Sequence, residues 1–222
     1  MSFALLMVLL SGTCWSLVYL DAIRIGIKDK TYAIPFWALA LNFAWEALLT
    51  LFGYRELGVQ AQVGMNAVWL LFDFGILYTY FKYGIKEFPA SVSPRWFYLW
   101  SVLVILVSLV IQYFFIRQFG VITGGSYTAF LQNLLMSILF IGMLIKRKSS
   151  RGQTLLIAVM KGIGTLFPTI LFGFVGIKET HGPNHLVLVL GILIFFFDVL
   201  YVYLLYRVKQ QERSSERPEY II

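Results

Sequence analysis

Residues 34–53 read IPFWALALNFAWEALLTLFG, an almost wholly apolar run with one ionisable side chain, Glu46, and one amide, Asn42, near its middle. About 20 such residues are what a helix needs to cross the hydrocarbon core of a bilayer. Inside hydrocarbon every backbone polar group has to be satisfied within its own segment, so the run predicts a transmembrane helix. Comparable runs occur at 3–20, 65–82, 97–116, 127–145, 154–177 and 186–206. The expected fold is therefore all-α, a polytopic membrane protein with seven transmembrane helices in one bundle. Four of the runs carry one ionisable residue near the centre: Glu46, Asp73, Lys161 and Asp198. A charge in hydrocarbon costs a few kcal/mol or more, so each of them is expected to face the protein interior and to mark a functional site.

Composition agrees. Hydrophobic residues make up 59% of the 222 and aromatic residues 18%, while charged residues make up 13% against the roughly 25% of a soluble domain. Mean hydropathy is +0.79. The chain divides into a transmembrane domain at 1–208 and a polar tail at 209–222 that is expected to be disordered. The first run lacks a basic leader and a small-residue cleavage site, so it is expected to be a retained helix.

The net charge of +7 raises the question of a nucleic-acid partner, and its distribution answers it. Arg24, Lys28 and Lys30 follow the first run, Lys82, Lys86 and Arg95 the third, Lys146, Arg147, Lys148 and Arg151 the fifth, and Arg207, Lys209, Arg213 and Arg217 the seventh. The other connections hold one basic residue each: Arg55, Arg117 and Lys178. This alternation fits the positive-inside rule, with the N-terminus outside and the C-terminus cytosolic. The basic charge reads as topology, and no nucleic-acid partner is expected.

At 1.5 Å per residue the four ionisable groups lie roughly 10–18 Å from the cytosolic side, close enough in depth to belong to one cavity. Asn42 precedes Glu46 by four residues, and Thr165 follows Lys161 by four, so each pair shares a helix face. Gln132 and Asn133 add amides on the fifth span, and Tyr201 lies one turn after Asp198. Two readings of the charges compete. Asp73 and Lys161 could form a neutralised bridge that only sets helix register. One lysine cannot neutralise three carboxyls, however, and burial disfavours the charged form, so Glu46 and Asp198 are the favoured candidates for acid chemistry.

Aromatics divide the same way. Trp96, Tyr98 and Tyr113 near span ends are expected interfacial anchors. Phe43, Trp45, Phe72, Phe74, Phe195, Phe196, Phe197 and Tyr201 neighbour the acids in sequence, where their π-faces could steady a cation or simply pack.

Absent motifs narrow the chemistry. There is no Asp-Asp-x-x-Asp run for metal-assisted diphosphate ionisation, no Asp-x-Asp-Asp triplet, and no phosphate-binding Gly-x-x-x-x-Gly-Lys loop. His181 and His185 are spaced by four in a Gly-Pro turn, and a solvated loop is favoured over a metal pair. No metal and no cofactor is expected. Cys14 is the sole cysteine, which excludes an intrachain disulfide, and packing is its expected role.

Several stretches together resemble a known family: Thr31-Tyr32-Ala33-Ile34-Pro35 leading into Asn42-Phe43-Ala44-Trp45-Glu46, DFGILYTYFKYG at 73–84, Gln132-Asn133-Leu134 with Met136-Ser137, and Phe197-Asp198-x-x-Tyr201. They are similar to the integral-membrane terpene cyclases of fungal meroterpenoid and indole-diterpene pathways, the paxilline B-type family, which also has bacterial members. The most specific element is Asn-Phe-x-Trp-Glu. The resemblance implies a seven-helix fold and metal-free, proton-initiated cyclisation of a prenyl chain, often epoxidised and attached to an aromatic or heterocyclic core. It places the family's two essential acids on Glu46 and Asp198; Asn42, Trp45, Asp73, Gln132, Asn133, Lys161 and Tyr201 are expected as supporting or pocket residues. It implies a lipophilic prenylated substrate, membrane lipid, and a pathway prenyltransferase and epoxidase as partners. The location it implies is the plasma membrane in a bacterium or the endoplasmic reticulum in a fungus.

A proton-coupled small-molecule transporter is the alternative, because buried carboxyls on seven helices also describe carriers. Internal repeats would be expected there, and the sequence shows none. A retinal protein would place its lysine in the last span, which carries Asp198 and no lysine.

Overall fold

The seven apolar runs are seven helices, each long and apolar enough to cross a membrane, in a computed structural model that describes residues 3–178 and 182–215. They are α1 (Phe3–Lys28), α2 (Phe36–Leu57), α3 (Ala61–Tyr83), α4 (Pro94–Phe119), α5 (Val121–Arg147), α6 (Leu155–Pro168) and α7 (His185–Ser215). A 3₁₀ turn, Gly84–Glu87, extends α3, and a π-helical segment, Thr169–Val175, continues α6 beyond Pro168. Local chemistry sets several starts. Pro35 immediately precedes α2. The Ser93 hydroxyl accepts from the Arg95 amide at 3.3 Å, with Pro94 in the first turn of α4. Thr154 caps α6 by accepting from the Ile157 amide at 3.1 Å. Gly120, at φ 78°, makes the sharp passage from α4 to α5 that a side chain would strain.

Packing of neighbours closes a ring: α1 lies against α3, α3 against α2, α2 against α5, α5 against α7, α7 against α6, and α6 against α1. The fourth helix packs outside the ring against α2 and α5. Small residues permit the close approaches. A Cβ on Gly164 of α6 would meet Trp15 and Cys14 of α1 at 3.0–3.1 Å, so the lone cysteine packs against that helix contact.

Three helix limits differ from the sequence reading, each for a physical reason. The first helix continues past residue 20 to Lys28, and Asp21, just beyond the expected end, is buried. Its carboxylate takes Arg24 at 2.6 Å and accepts from the Thr154 hydroxyl. The seventh continues to Ser215, so residues 209–215 of the expected disordered tail are helical. Glu212 is anchored there by the Ser150 amide and hydroxyl at 2.7 and 2.6 Å. The remainder of the tail lies outside the described residues. The sixth changes from α to π after Pro168, a common site for local rearrangement of the ladder.

One end of the ring, where α1, α3, α5 and α7 finish, is fastened by a polar clasp. Arg147 donates to Glu87 at 2.9–3.1 Å, to the Thr31 hydroxyl at 3.0 Å and to the Tyr32 carbonyl at 2.9 Å. Its guanidinium lies 4.6 Å from the Tyr32 ring centre. The Thr31 hydroxyl itself donates to Glu87. Burial, with Glu87 beside it, pushes the Tyr32 phenol above its ordinary value. The connecting residues Thr31, Ala33 and Ile34 are buried beneath this clasp. Most of the basic side chains counted in the sequence gather at this end.

Candidate active site

Glu46, Asp73, Lys161 and Asp198 are all buried, and they do not form one group. They fall into two clusters on either side of α5.

The first cluster joins α1, α2 and α3. Asn42, one helical turn before Glu46, directs its amide nitrogen to Glu46 Oε1 at 2.9 Å, Asp73 Oδ2 at 3.1 Å and the Tyr19 hydroxyl at 2.6 Å. Tyr19 donates to Glu46 Oε1. The Asn42 amide nitrogen thus links the Glu46 and Asp73 carboxyls, donating to an oxygen of each. Among the described residues no basic side chain forms an ion pair with either acid. Two bare carboxylates side by side in a low-dielectric interior repel, so the pair retains at least one proton. Glu46 Oε1 and Asp73 Oδ2 serve as acceptors, leaving Oε2 and Oδ1 without a hydrogen-bond partner. The proton therefore belongs on that side of the pair.

Aromatic rings wall this cluster. Tyr19 stacks on Trp69, ring centres 6.1 Å apart and planes within 3°, and meets Trp15 and Phe72 at 6.3 and 6.2 Å. Trp45 points elsewhere: its indole donates to the Gly125 carbonyl at 2.8 Å and fastens α2 to α5. Several aromatics expected to flank the acids instead turn outward, because residues next to a buried position on a helix occupy another face. Phe74, Phe195 and Phe196 are exposed.

The second cluster joins α5, α6 and α7. Lys161 donates to both Asp198 oxygens, at 2.7 and 3.0 Å, and to the Ser137 hydroxyl at 2.6 Å. Asn133 donates to the Thr165 hydroxyl at 2.6 Å, and Thr165 returns to the Lys161 carbonyl at 2.9 Å. The bridge considered between Asp73 and Lys161 is thus replaced by one between Asp198 and Lys161, since ring order puts α6 beside α7 and α1 rather than beside α3. Tyr201, one turn beyond Asp198, reaches the Gln153 side chain at 2.8 Å and packs on Phe140 at 5.1 Å.

Adjacent residues on α5 serve opposite clusters. Asn133 belongs to the ion-pair side, and Gln132 donates to Asn42 Oδ1 at 3.4 Å on the acid side. Gln132 in turn accepts from Gln112 of α4 at 2.7 Å.

Sequence reasoning missed Tyr19, Gln112, Ser137 and Gln153 as members of these networks. Tyr19 stands next to the expected end of the first span, at residue 20, and carries no charge to mark it. Recognising Asp21 as paired with Arg24 three residues on would have moved that end outward and Tyr19 inward. His181 lies outside the described residues, so the expected solvated His181–His185 turn has no structural counterpart here.

Comparison with known proteins bears on this arrangement. The family model described as Pyr4-like transmembrane terpene cyclases matches residues 2–211. Terpene cyclase pyr4 of Aspergillus fumigatus is 27% identical over 217 residues, covering 94% of this chain and 88% of that protein. Terpene cyclase nodB of Hypoxylon pulicicidum is 28% identical over 211 residues, covering 93% and 86%. Terpene cyclase ascF of Acremonium egyptiacum is 27% identical over 227 residues, covering 91% and 81%. No solved structure matches the chain significantly.

Proposed function

The chain belongs to the Pyr4-like transmembrane terpene cyclases, and we propose that it cyclises the prenyl chain of a lipophilic substrate by protonating a terminal epoxide or alkene inside the ring of helices. The observation that carries this reading is the buried Glu46–Asp73 pair, linked through Asn42, with no ion-paired cation among the described residues and with aromatic rings beside it.

Glu46 is the general acid. Its proton passes to the epoxide oxygen, opening a C–O bond, or to an alkene carbon, and the chain's double bonds close on the resulting cation. Opening an epoxide asks less of a carboxylic acid than protonating an alkene, which favours the epoxide. Asn42, which donates to both carboxyls, holds Glu46 beside Asp73 as the proton leaves. Stacked Tyr19, Trp69 and Phe72 offer π-faces to developing positive charge, and burial keeps out water that would quench it.

Asp198 has a different role. Lys161 donates to both of its oxygens, and no hydrogen bond ties it to Glu46. It supplies negative charge to the interior and accepts the proton lost at the end. One proton enters the substrate and one leaves, so the net change is an isomerisation that consumes no cofactor. Lys161, Asn133, Gln132, Trp45 and Tyr201 support the two acids through the contacts described.

The substrate is a prenylated, epoxidised aromatic or heterocyclic compound of meroterpenoid type, supplied by a prenyltransferase and an epoxidase. The clasped basic end is cytosolic, in the endoplasmic reticulum of a fungal host or the plasma membrane of a bacterial one. The test is mass spectrometry of membranes containing the protein, given farnesylated and geranylgeranylated aromatics with and without a terminal epoxide. An isomeric cyclic product from the wild type that vanishes in folded Glu46→Gln and Asp198→Asn supports the reading. Cyclisation that survives both substitutions removes them as the essential acids. Absence of any cyclisation, with proton-gradient-dependent uptake into vesicles, would favour a carrier instead.

A further inference from the structure

We propose that Gln112 and Gln132 form a one-way amide relay that fixes which side of Asn42 faces the acid pair, making both glutamines positioning residues of the proton source. This rests on the reading of Glu46 and Asp73 as that source.

The direction of the relay starts at a backbone carbonyl, which can only accept. Gln112, buried on α4, turns its Nε2 to the Leu41 carbonyl at 3.3 Å and to Gln132 Oε1 at 2.7 Å. Its own oxygen has no partner, so the nitrogen alone decides how this amide sits. Gln132 must then present oxygen to Gln112 and nitrogen to the next group, and its Nε2 lies 3.4 Å from Asn42 Oδ1. With that oxygen engaged, Asn42 turns its Nδ2 to Glu46 Oε1, Asp73 Oδ2 and Tyr19.

Reversing any one amide would set oxygen against oxygen at the next contact, and the low dielectric makes each mismatch costly. The consequence reaches the acids. An Asn42 that donates holds Oε1 and Oδ2 as acceptors and leaves the proton to Oε2 or Oδ1. An Asn42 that accepts would draw the proton toward itself and away from the substrate side. A helix outside the ring, α4, thereby governs the aim of the acid across α5 and α2.

Infrared spectroscopy of the purified full-length protein reads this directly. The carbonyl stretch of the protonated carboxyl is identified by its loss or displacement in Glu46→Gln. It is then compared in wild type, Gln112→Leu, Gln132→Leu and the double variant. Each single change is expected to move that band and to lower kcat between about tenfold and about a hundredfold with KM unchanged. Because the two amides act in series, the double variant should lose no more than Gln132→Leu alone. Leucine suits a membrane span better than glutamine, and the two sites lie on different helices, so a folding failure at one leaves the other to decide.

A band that stays in place in the folded single variants overturns the relay, as do losses that multiply in the double variant. The two readings fail separately. A band that moves in a protein that cyclises nothing keeps the relay and removes the proposed function. Cyclisation with an unmoved band does the reverse.

Discussion

The two polar clusters contain much the same kinds of atoms at much the same depth, and they differ in one respect. Lys161 gives Asp198 a cation, and nothing among the described residues gives Glu46 or Asp73 one. A buried carboxyl with a cation has its oxygens occupied, and removing either partner strands the other. A pair of buried carboxyls without a cation must keep a proton to exist at all. On the proposed mechanism the cluster without a cation supplies the proton, and the cluster with one holds a fixed charge that takes up the last proton. Burial by itself does not make an acid reactive; the identity of the neighbour decides.

The largest effect expected from this contrast is on activity in the first cluster. Glu46→Gln should lower turnover by about 10²–10⁴, the range a positioned general acid supplies. Thermal stability should change little, because the amide keeps the contact with Tyr19; comparison of product formation with melting in detergent checks both. Next comes the second cluster. Asp198→Asn leaves Lys161 buried without its counter-charge and should destabilise the fold by about 3–5 kcal/mol. A double change, Lys161→Met with Asp198→Leu, should restore most of the melting temperature without restoring cyclisation. Recovery of activity in that double variant would show that the charge is only structural.

Asp73→Asn sharpens the difference. It removes a like-charged neighbour from Glu46, so the melting temperature should hold or rise while turnover falls about tenfold through loss of the shared proton. A loss of stability comparable to that of Asp198→Asn would erase the distinction between the clusters. Smallest of the four, Tyr19→Phe removes one hydrogen bond to Glu46, worth about 1 kcal/mol, and should slow turnover severalfold without altering substrate affinity. Steady-state kinetics resolves that change.

Most of the fold was legible because hydrocarbon imposes a length and a composition on each helix, and the seven runs meet both. Helix ends were less so. Asp21 reads as a boundary by its charge, but its partners lie three residues on and far along the chain in Thr154, and only the first is visible locally. The candidate residues were legible for the same reason as the spans, since a lone charge in an apolar run stands out. Their pairing was not. Rise per residue gives depth and says nothing of bearing around the axis, so Asp73 and Asp198 looked equally available to Lys161. Ring order, a product of how seven helices pack, made the choice. Gln112 escaped notice because a single uncharged amide near the end of an apolar run carries little signal, and its meaning depends on Gln132 and Leu41 across two other helices.

The 29–35 connection is folded under the ring, Arg147 is clasped to Glu87, and many of the outward-facing side chains are apolar. On the proposed function, a prenylated substrate meets this enzyme sideways, as a solute of the bilayer rather than of water. Its effective concentration is a mole fraction in two dimensions. Diluting the membrane with unreactive lipid should slow turnover even when the amounts of enzyme and substrate in the tube stay fixed, and turnover becomes a property of the surface the enzyme shares with whatever produces its substrate.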